Sequence, residues 1–243
     1  NNQLANSDFL TGAFPAEYGN AISGVFDLKM RNGNDEKHEF LGQIGFNGFE
    51  FGAEGPLSRE NGSSYLVNYR YSTLEVFDAL GMEFGTGTAI PKYQDVSFKV
   101  NMPKTKLGSF SIFGLGGISD IAFMDSEKDP EEDDIDFYGG EGFDLINGSD
   151  LAVLGVSHTL LINPATYSKL VVAGTYHNFH TTIDSINPEN LNILPYFRNS
   201  HKEYKLYANY FLNKKISSQH NFKVGFTISR SQYDFVDSSF IDD

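Results

Sequence analysis

The stretch FKVGFTIS, residues 222–229, decides the fold, because large apolar residues alternate along it with small or polar ones. Successive side chains of a β-strand point to opposite faces of a sheet, so this period of two predicts a strand with one apolar and one mostly polar face. Residues 65–71, 96–102 and 204–212 show the same alternation, interrupted only at Leu66. The pattern predicts an all-β protein.

Further strands are predicted at residues 107–119, 151–162 and 166–182, which are less regular and bounded by turn residues. Within residues 39–57 the apolar parity changes around Asn47-Gly48. Asn-Gly is a strong signal for a two-residue hairpin turn, which here would pair Phe46 with Phe49 and Ile44 with Phe51. A single long strand with a β-bulge is the alternative interpretation.

Short and long connections alternate along the chain. Short turns are predicted at 58–63, 103–108, 163–166 and 213–219, and long loops at 74–92, 123–150 and 183–199. Outer-membrane barrels sort their connections in this way, with short periplasmic turns at one rim and long extracellular loops at the other. The sequence therefore predicts about nine strands of a transmembrane antiparallel β-barrel, the first running outward. Because hydrocarbon does not tolerate open sheet edges, we expect further strands to complete the barrel.

Composition excludes several classes of protein. The 243 residues include no Cys and no Trp, and the formal net charge is -14. Disulfide stapling and thiol chemistry are therefore excluded, and an acidic chain without a Lys/Arg stripe is not expected to bind nucleic acid. The first seven residues have no signal-peptide character, and no apolar run is long enough for a membrane-spanning helix.

The segment GAFPAEYGNAISGVFDLKMRNGN, residues 12–34, does not alternate and precedes the predicted strands. With its Tyr18-Gly19 pair, its Gly24-Val25 step and the short strand within 26–33, it resembles the end of the plug domain of TonB-dependent receptors of the Bacteroidetes type. Similarity continues through residues 51–58, 63–73, 93–103 and 108–119. The resemblance divides the chain into the end of a plug, residues 1–34, and the first part of a barrel, residues 35–243.

The resemblance implies a multi-pass protein of the bacterial outer membrane, with a plug inside a barrel of about twenty-two strands. Such receptors import a scarce ligand such as a siderophore, vitamin, peptide or glycan. Implied partners are outer-membrane lipid and lipopolysaccharide, a surface lipoprotein, and an inner-membrane energy-coupling protein reached through segments that precede this sequence. The alternatives are a docking barrel without active transport and a soluble β-sandwich adhesin.

Candidate site residues follow from the same patterns. The resemblance assigns Tyr18, Gly19 and Gly24 to the plug motif. Four cations share the polar parity of their strands and are expected to face the barrel lumen, where they would pack against the plug and pair with carboxylates such as Glu17 or Asp27; they are Arg70, Lys99, Lys205 and Lys223. An aromatic girdle between lipid and water is expected at Tyr65, Tyr71, Tyr204 and Tyr210.

The acidic loop 125–144 supplies oxygen ligands of the kind that Ca²⁺ prefers, and Asp133, Asp134 and Asp136 are its metal candidates. Dense like charge without calcium-loop spacing is more typical of a solvated loop. His177 and His180 are three residues apart and should lie on opposite faces of a strand, which disfavours a shared metal. The sequence contains no catalytic motif, so neither an enzyme nor a cofactor is expected.

Overall fold

A computed structural model describes residues 3–12, 14–19, 21–45, 48–72, 90–127, 142–188 and 190–240, which form two antiparallel sheets. The smaller sheet pairs β1 (Asp8–Leu10) with β2 (Val25–Asp27). The larger sheet contains nine strands, which are β3 (Glu39–Gly45), β4 (Gly48–Ser58), β5 (Ser63–Tyr71), β6 (Ile90–Thr105), β7 (Gly108–Met124), β8 (Phe143–Asn163), β9 (Thr166–Ile186), β10 (Ile193–Lys215) and β11 (Asn221–Ser239).

Each strand of the large sheet pairs with the strand next to it in sequence, in the order β11 to β3 without a crossover. The all-β class and the count of nine strands are thus confirmed. In the described part of the chain, the one helical turn is a 3-10 turn at Asp125–Glu127. No helix among those residues has the length and apolarity needed to cross a membrane.

Strand register separates the sheet into two chemically different faces. Val67 pairs with Phe98, Leu154 with Gly174 and Ala208 with Ile228, and all of these lie on one side, the apolar face. The opposite side, the polar face, contains Asn68, Lys99, Ser157, Asn209 and Thr227. Because the antiparallel ladder keeps parity from strand to strand, the alternation in each strand adds up to a continuous apolar surface.

Burial in the sheet is the reverse of that in a water-soluble core. Leu66 (4% exposed) and Phe123 are the buried large hydrophobic residues of the described chain, whereas buried polar residues include Ser64 (1%) and Asn68 (3%). Exposed large hydrophobic residues are concentrated on the apolar face; they include Ile44, Phe49, Phe51, Val96, Leu154, Val172, Leu206, Phe222, Phe226 and Ile228. A large exposed apolar patch of this kind marks a surface that contacts something other than water.

The predicted hairpin between two short strands is confirmed, but its turn is not at Asn47-Gly48. Gly48 pairs with Gly45 and Phe49 pairs with Ile44, so Gly48 belongs to β4; residues 46 and 47 lie outside the described residues. The φ of Gly48 is 140°, which is not the left-handed helical value that the predicted turn needs. A side chain there would collide with the carbonyl oxygen of Tyr71 on β5, so this glycine permits close approach of two backbones.

The sequence also overestimated the length of two of the three predicted long loops. Strand β8 begins at Phe143 rather than at residue 151, and only residues 187–192 separate β9 from β10 where a loop over 183–199 was predicted. The ladder continues through these stretches, for example by pairing Asn147 with Thr181 and Thr182 with Arg198. Backbone hydrogen bonds extend a strand past the point where its side chains stop alternating.

Replacing Leu66 by Ala should lower the free energy of unfolding by about 2–5 kcal/mol, because removing the buried side chain leaves a cavity among its neighbours. Val67→Ala is the matched control, since Val67 is the next residue of β5 and is only half-buried on the opposite face. Denaturant titration of both variants measures the difference. Equal losses in the two variants would show that Leu66 has no special packing role.

Candidate functional site

The described residues between positions 3 and 34, here called the N-terminal segment, lie against the polar face of the sheet and contact strands near both of its ends. Arg31 pairs with Glu54 on β4, and Glu17 pairs with Lys223 on β11. Between these points Lys99 on β6 donates a hydrogen bond to the carbonyl oxygen of Met30. One short segment therefore connects strands that are seven positions apart in the sheet.

The contact between Arg31 and Glu54 has the geometry of a bidentate pair. Arg31 Nη1 and Nη2 each donate to a carboxylate oxygen of Glu54 at 2.6 Å, and the backbone N–H of Asn34 donates to the same carboxylate at 2.8 Å. The Glu54 side chain is 13% exposed. Two parallel charge-assisted hydrogen bonds fix direction as well as distance, so this pair sets the position of the carboxyl end of the segment.

Close backbone packing reinforces that position. Gly33 lies so near β5 that a side chain would collide with the carbonyl oxygen of Tyr65. Residues at the start of the segment join the same region, since Arg31 N–H donates to the Gln3 carbonyl at 2.8 Å and Ser97 on β6 donates to the Gln3 side chain. The segment is held by its backbone and by charged side chains rather than by an apolar core.

Tyr18, one of the three residues that the resemblance assigned to a plug motif, belongs to a polar cluster beside β1 and β2. The Tyr18 hydroxyl donates to Asp27 Oδ2 at 3.0 Å, and Lys29 lies 2.9 Å from Asp27 and 3.2 Å from Asp8. The hydrogen bond from Lys29 lowers the pKa of Asp27, and burial, followed by the bond to Asp27, raises the pKa of Tyr18. Both shifts keep the carboxylate charged and the phenol protonated near neutral pH.

The two glycines of the motif have different surroundings. Gly24 lies against the ring of Phe9, which stacks on Phe26 with 4.3 Å between ring centroids. A side chain at Gly19 would have no atom of the described chain within 4 Å. Packing therefore explains a glycine at position 24, and nothing in the structure explains one at position 19.

A cavity of about 980 Å³ lies between the N-terminal segment, at residues 15–19, Ala21 and Val25, and strands β10 and β11. Lys205 and Lys223 both line it, together with Tyr207, Asn209 and Glu17. Lys223 also lies 4.1 Å above the ring centroid of Phe211. The strand side mixes polar and charged side chains with apolar groups such as the ring of Phe211, so the lining is amphipathic.

The four predicted cations differ in what they contact. Lys223 pairs with Glu17, one of the two carboxylates expected for this role. Lys99 binds a backbone carbonyl, and Arg70 pairs with Asp95 on the neighbouring strand at 2.9 Å. Asp27, the other expected carboxylate, pairs with Lys29 inside the N-terminal segment, because that cation is two residues away.

Sequence reasoning missed the pair of Arg31 and Glu54. Glu54 occupies the polar parity of β4, and Arg31 is the basic residue next to the Asn32-Gly33 step. Opposite charges at the end of the segment and on the first long strand were the available signal, but their distance depends on how the segment crosses the sheet.

The metal candidates Asp133, Asp134 and Asp136 lie outside the described residues. Within the part of the chain that the structure describes, no group of three or more His, Asp or Glu side chains could hold a metal ion. His177 and His180 lie on opposite faces as predicted, with His177 Nε2 3.3 Å from Ser149 Oγ and His180 Nε2 3.3 Å from Asp120 Oδ1.

No family model matches the chain, and no curated protein matches it. The contacts described above are therefore the basis for assigning a function.

Replacing Glu54 by Gln should weaken the hold on the N-terminal segment by about 1–3 kcal/mol, because the partly buried guanidinium keeps its position and loses its charged partner. Hydrogen exchange of the amides in residues 28–34 measures the loss as faster local opening.

Lys37→Ala is the control, because Lys37 forms an exposed ion pair with Glu39 and should leave exchange unchanged. Unchanged exchange in Glu54→Gln as well would show that packing at Gly33 alone holds the segment.

Proposed function

We propose that the nine-stranded sheet is part of a closed transmembrane β-barrel in the bacterial outer membrane, whose lumen holds the N-terminal segment as the end of a plug. The observation that carries this proposal is the exposed apolar face, which runs across consecutive strands, while buried polar side chains of the sheet outnumber buried large hydrophobic ones. Hydrocarbon on the outside and a water-compatible filling on the inside account for both features.

The dimensions of the apolar face support a bilayer as its partner. On β10 the apolar parity runs from Tyr204 to Leu212, which is nine residues. A tilted transmembrane strand needs about 9–11 residues.

A polar border supports the same orientation. Asp150, Asn178 and Lys202 pair across β8, β9 and β10 on the apolar face, on the side of the connections after β7 and β9. Tyr176 and Tyr204 form the next row, with 5.1 Å between ring centroids. Tyrosine between an apolar belt and a polar row is typical of the membrane–water interface.

The outer edges of the sheet support closure by further strands. In the described chain, no strand pairs with the outer edge of β3 or of β11. Each unpaired N–H or C=O group costs roughly several kcal/mol in hydrocarbon. A lipid-facing sheet therefore needs pairing partners along both of its edges. A plugged barrel of about twenty-two strands supplies them.

The activity we propose is import of a scarce ligand rather than catalysis. Support comes from the N-terminal segment, which crosses the polar face and is held by a few ion pairs and hydrogen bonds that a pulling force can break one by one. Energy would come from an inner-membrane coupling protein, and a surface lipoprotein and lipopolysaccharide would act at the outer side. The resemblance of residues 12–34 to receptor plugs favours the same activity.

Placing Arg at Val172 should impair membrane assembly, because Val172 lies on the apolar face and a charge at the bilayer midplane costs about 2–4 kcal/mol. Val171→Arg is the matched control, since Val171 is adjacent on β9 and lies on the polar face. The measurement is the amount of folded protein in the outer-membrane fraction.

In water Val172→Arg should be harmless, since Val172 is 48% exposed. Equal folded yields of the two variants, or recovery of the wild type from the aqueous phase without detergent, would refute the transmembrane assignment.

Import requires the N-terminal segment to move, whereas a docking role requires no such movement. We expect a cleavable thiol cross-link between Glu17→Cys and Lys223→Cys to abolish growth on the scarce nutrient that a deletion strain cannot use, and reductant to restore it. The 243-residue sequence has no native Cys to interfere.

Lys223→Cys alone, treated with the same reagent, is the control for loss of the ion pair. Full growth with the cross-link intact would exclude movement at this contact and favour a static docking role.

A further inference from the structure

The apolar face contains a groove of about 470 Å³ that crosses β6, β7 and β8 near the polar border. Its floor is made by Gly116 and Ala152, which pair directly across β7 and β8. Tyr69 and Val96 line one side and Tyr176 the other. Two small residues between larger ones therefore form a depression in a surface that is otherwise built from large side chains.

The floor of the groove is open. A Cβ at Gly116 would have only an ordinary contact, 3.5 Å from the carbonyl oxygen of Leu151. At Gly114, two residues away on the same face, a Cβ would collide with the ring of Phe98, which covers that glycine. Phe98 thus closes the membrane-ward end of the floor, and the space above Gly116 is left for another molecule.

The other end of the groove carries hydrogen-bond acceptors. Gln94 and Asp150 both line it. Asp150 Oδ2 accepts from Asn178 Nδ2 at 3.1 Å, which leaves its second carboxylate oxygen for a further donor. An amide N–H or a hydroxyl would find an acceptor here.

We propose that this groove binds one acyl chain of a membrane lipid. In this lipid an amide links the acyl chain to the head group, or a free hydroxyl lies beside that linkage. The chain would lie over Gly116 and Ala152, and the donor would reach Asp150. This inference rests on the proposed transmembrane function, because the groove is continuous with the proposed lipid-facing surface. Its volume lies within the range of about 300–1,000 Å³ typical of ligand sites.

Tryptophan fluorescence can test the groove, because the sequence contains no Trp. We place a reporter at the groove with Tyr176→Trp and a second reporter elsewhere on the apolar face with Val224→Trp. Each protein is reconstituted in unbrominated phosphatidylcholine containing a small fraction of either a brominated amide-linked hydroxylated lipid or brominated phosphatidylcholine, which has no hydrogen-bond donor. Emission of the reporter-free protein is subtracted.

The Tyr176→Trp reporter should be quenched several-fold more by the amide-linked lipid than by phosphatidylcholine, and the Val224→Trp reporter equally by both. Adding Gly116→Leu should fill the groove and remove the difference at Tyr176→Trp. Gly174→Leu is the matched control, because Gly174 lies on the same face, where a Cβ makes an ordinary contact 3.7 Å from Leu206, and it should leave the difference intact.

Equal quenching of the Tyr176→Trp reporter by both lipids would show contact with bulk lipid only and overturn the groove site, while the barrel proposal would stand. An unquenched Tyr176→Trp reporter beside a quenched Val224→Trp reporter would also overturn it and indicate a protein cover. Absence of quenching at Val224→Trp in either bilayer would instead refute the proposed function itself.

Discussion

One constraint governs this molecule: the sheet exposes large apolar side chains on one face, and polar side chains such as Ser64 and Asn68 are buried on the other. Val172 and Phe226 are exposed while Ser64 and Asn68 are buried, an arrangement that water would penalise on both faces. A solvent that is apolar outside the sheet and a polar filling inside it remove both penalties. The proposed barrel follows from this requirement, as does the need for partners along the edges of β3 and β11.

The polar face then determines how the N-terminal segment is held. A continuous apolar core does not hold the segment to the sheet, because the facing side chains include Glu54, Ser97, Lys99 and Lys223. Ion pairs and backbone hydrogen bonds take its place. Such contacts are directional, and each is individually weak once water can replace the partner. A segment attached in this way is well positioned yet can be displaced in steps, which is what the proposed import activity requires.

Periodicity predicted the sheet well, because the alternation of residues 222–228 and 204–212 depends only on which face each side chain meets. It failed where pairing depends on the backbone. The turn predicted at Asn47-Gly48 was wrong because the backbone of Tyr71 on β5 packs closely against Gly48. Local sequence rules do not consider contacts with that strand. The loop predicted over 183–199 was too long because the backbone pairing of β9 with β10 continues past the residues whose side chains alternate.

The candidate site was predicted less completely. The polar parity of Lys99 and Lys223 was readable from their strands, and Glu17 was one of two carboxylates expected to pair with such cations. Which cation meets Glu17 was not predicted, and neither was the pair of Arg31 with Glu54. Residues 31 and 54 are neighbours only because the N-terminal segment crosses the polar face, and that path depends on the curvature and register of the strands around it. The amino-acid sequence by itself determined the strands, their number and the chemistry of each face, since these depend on local alternation. The tertiary structure alone decided which charges meet, because contacts between distant residues depend on how all the strands align.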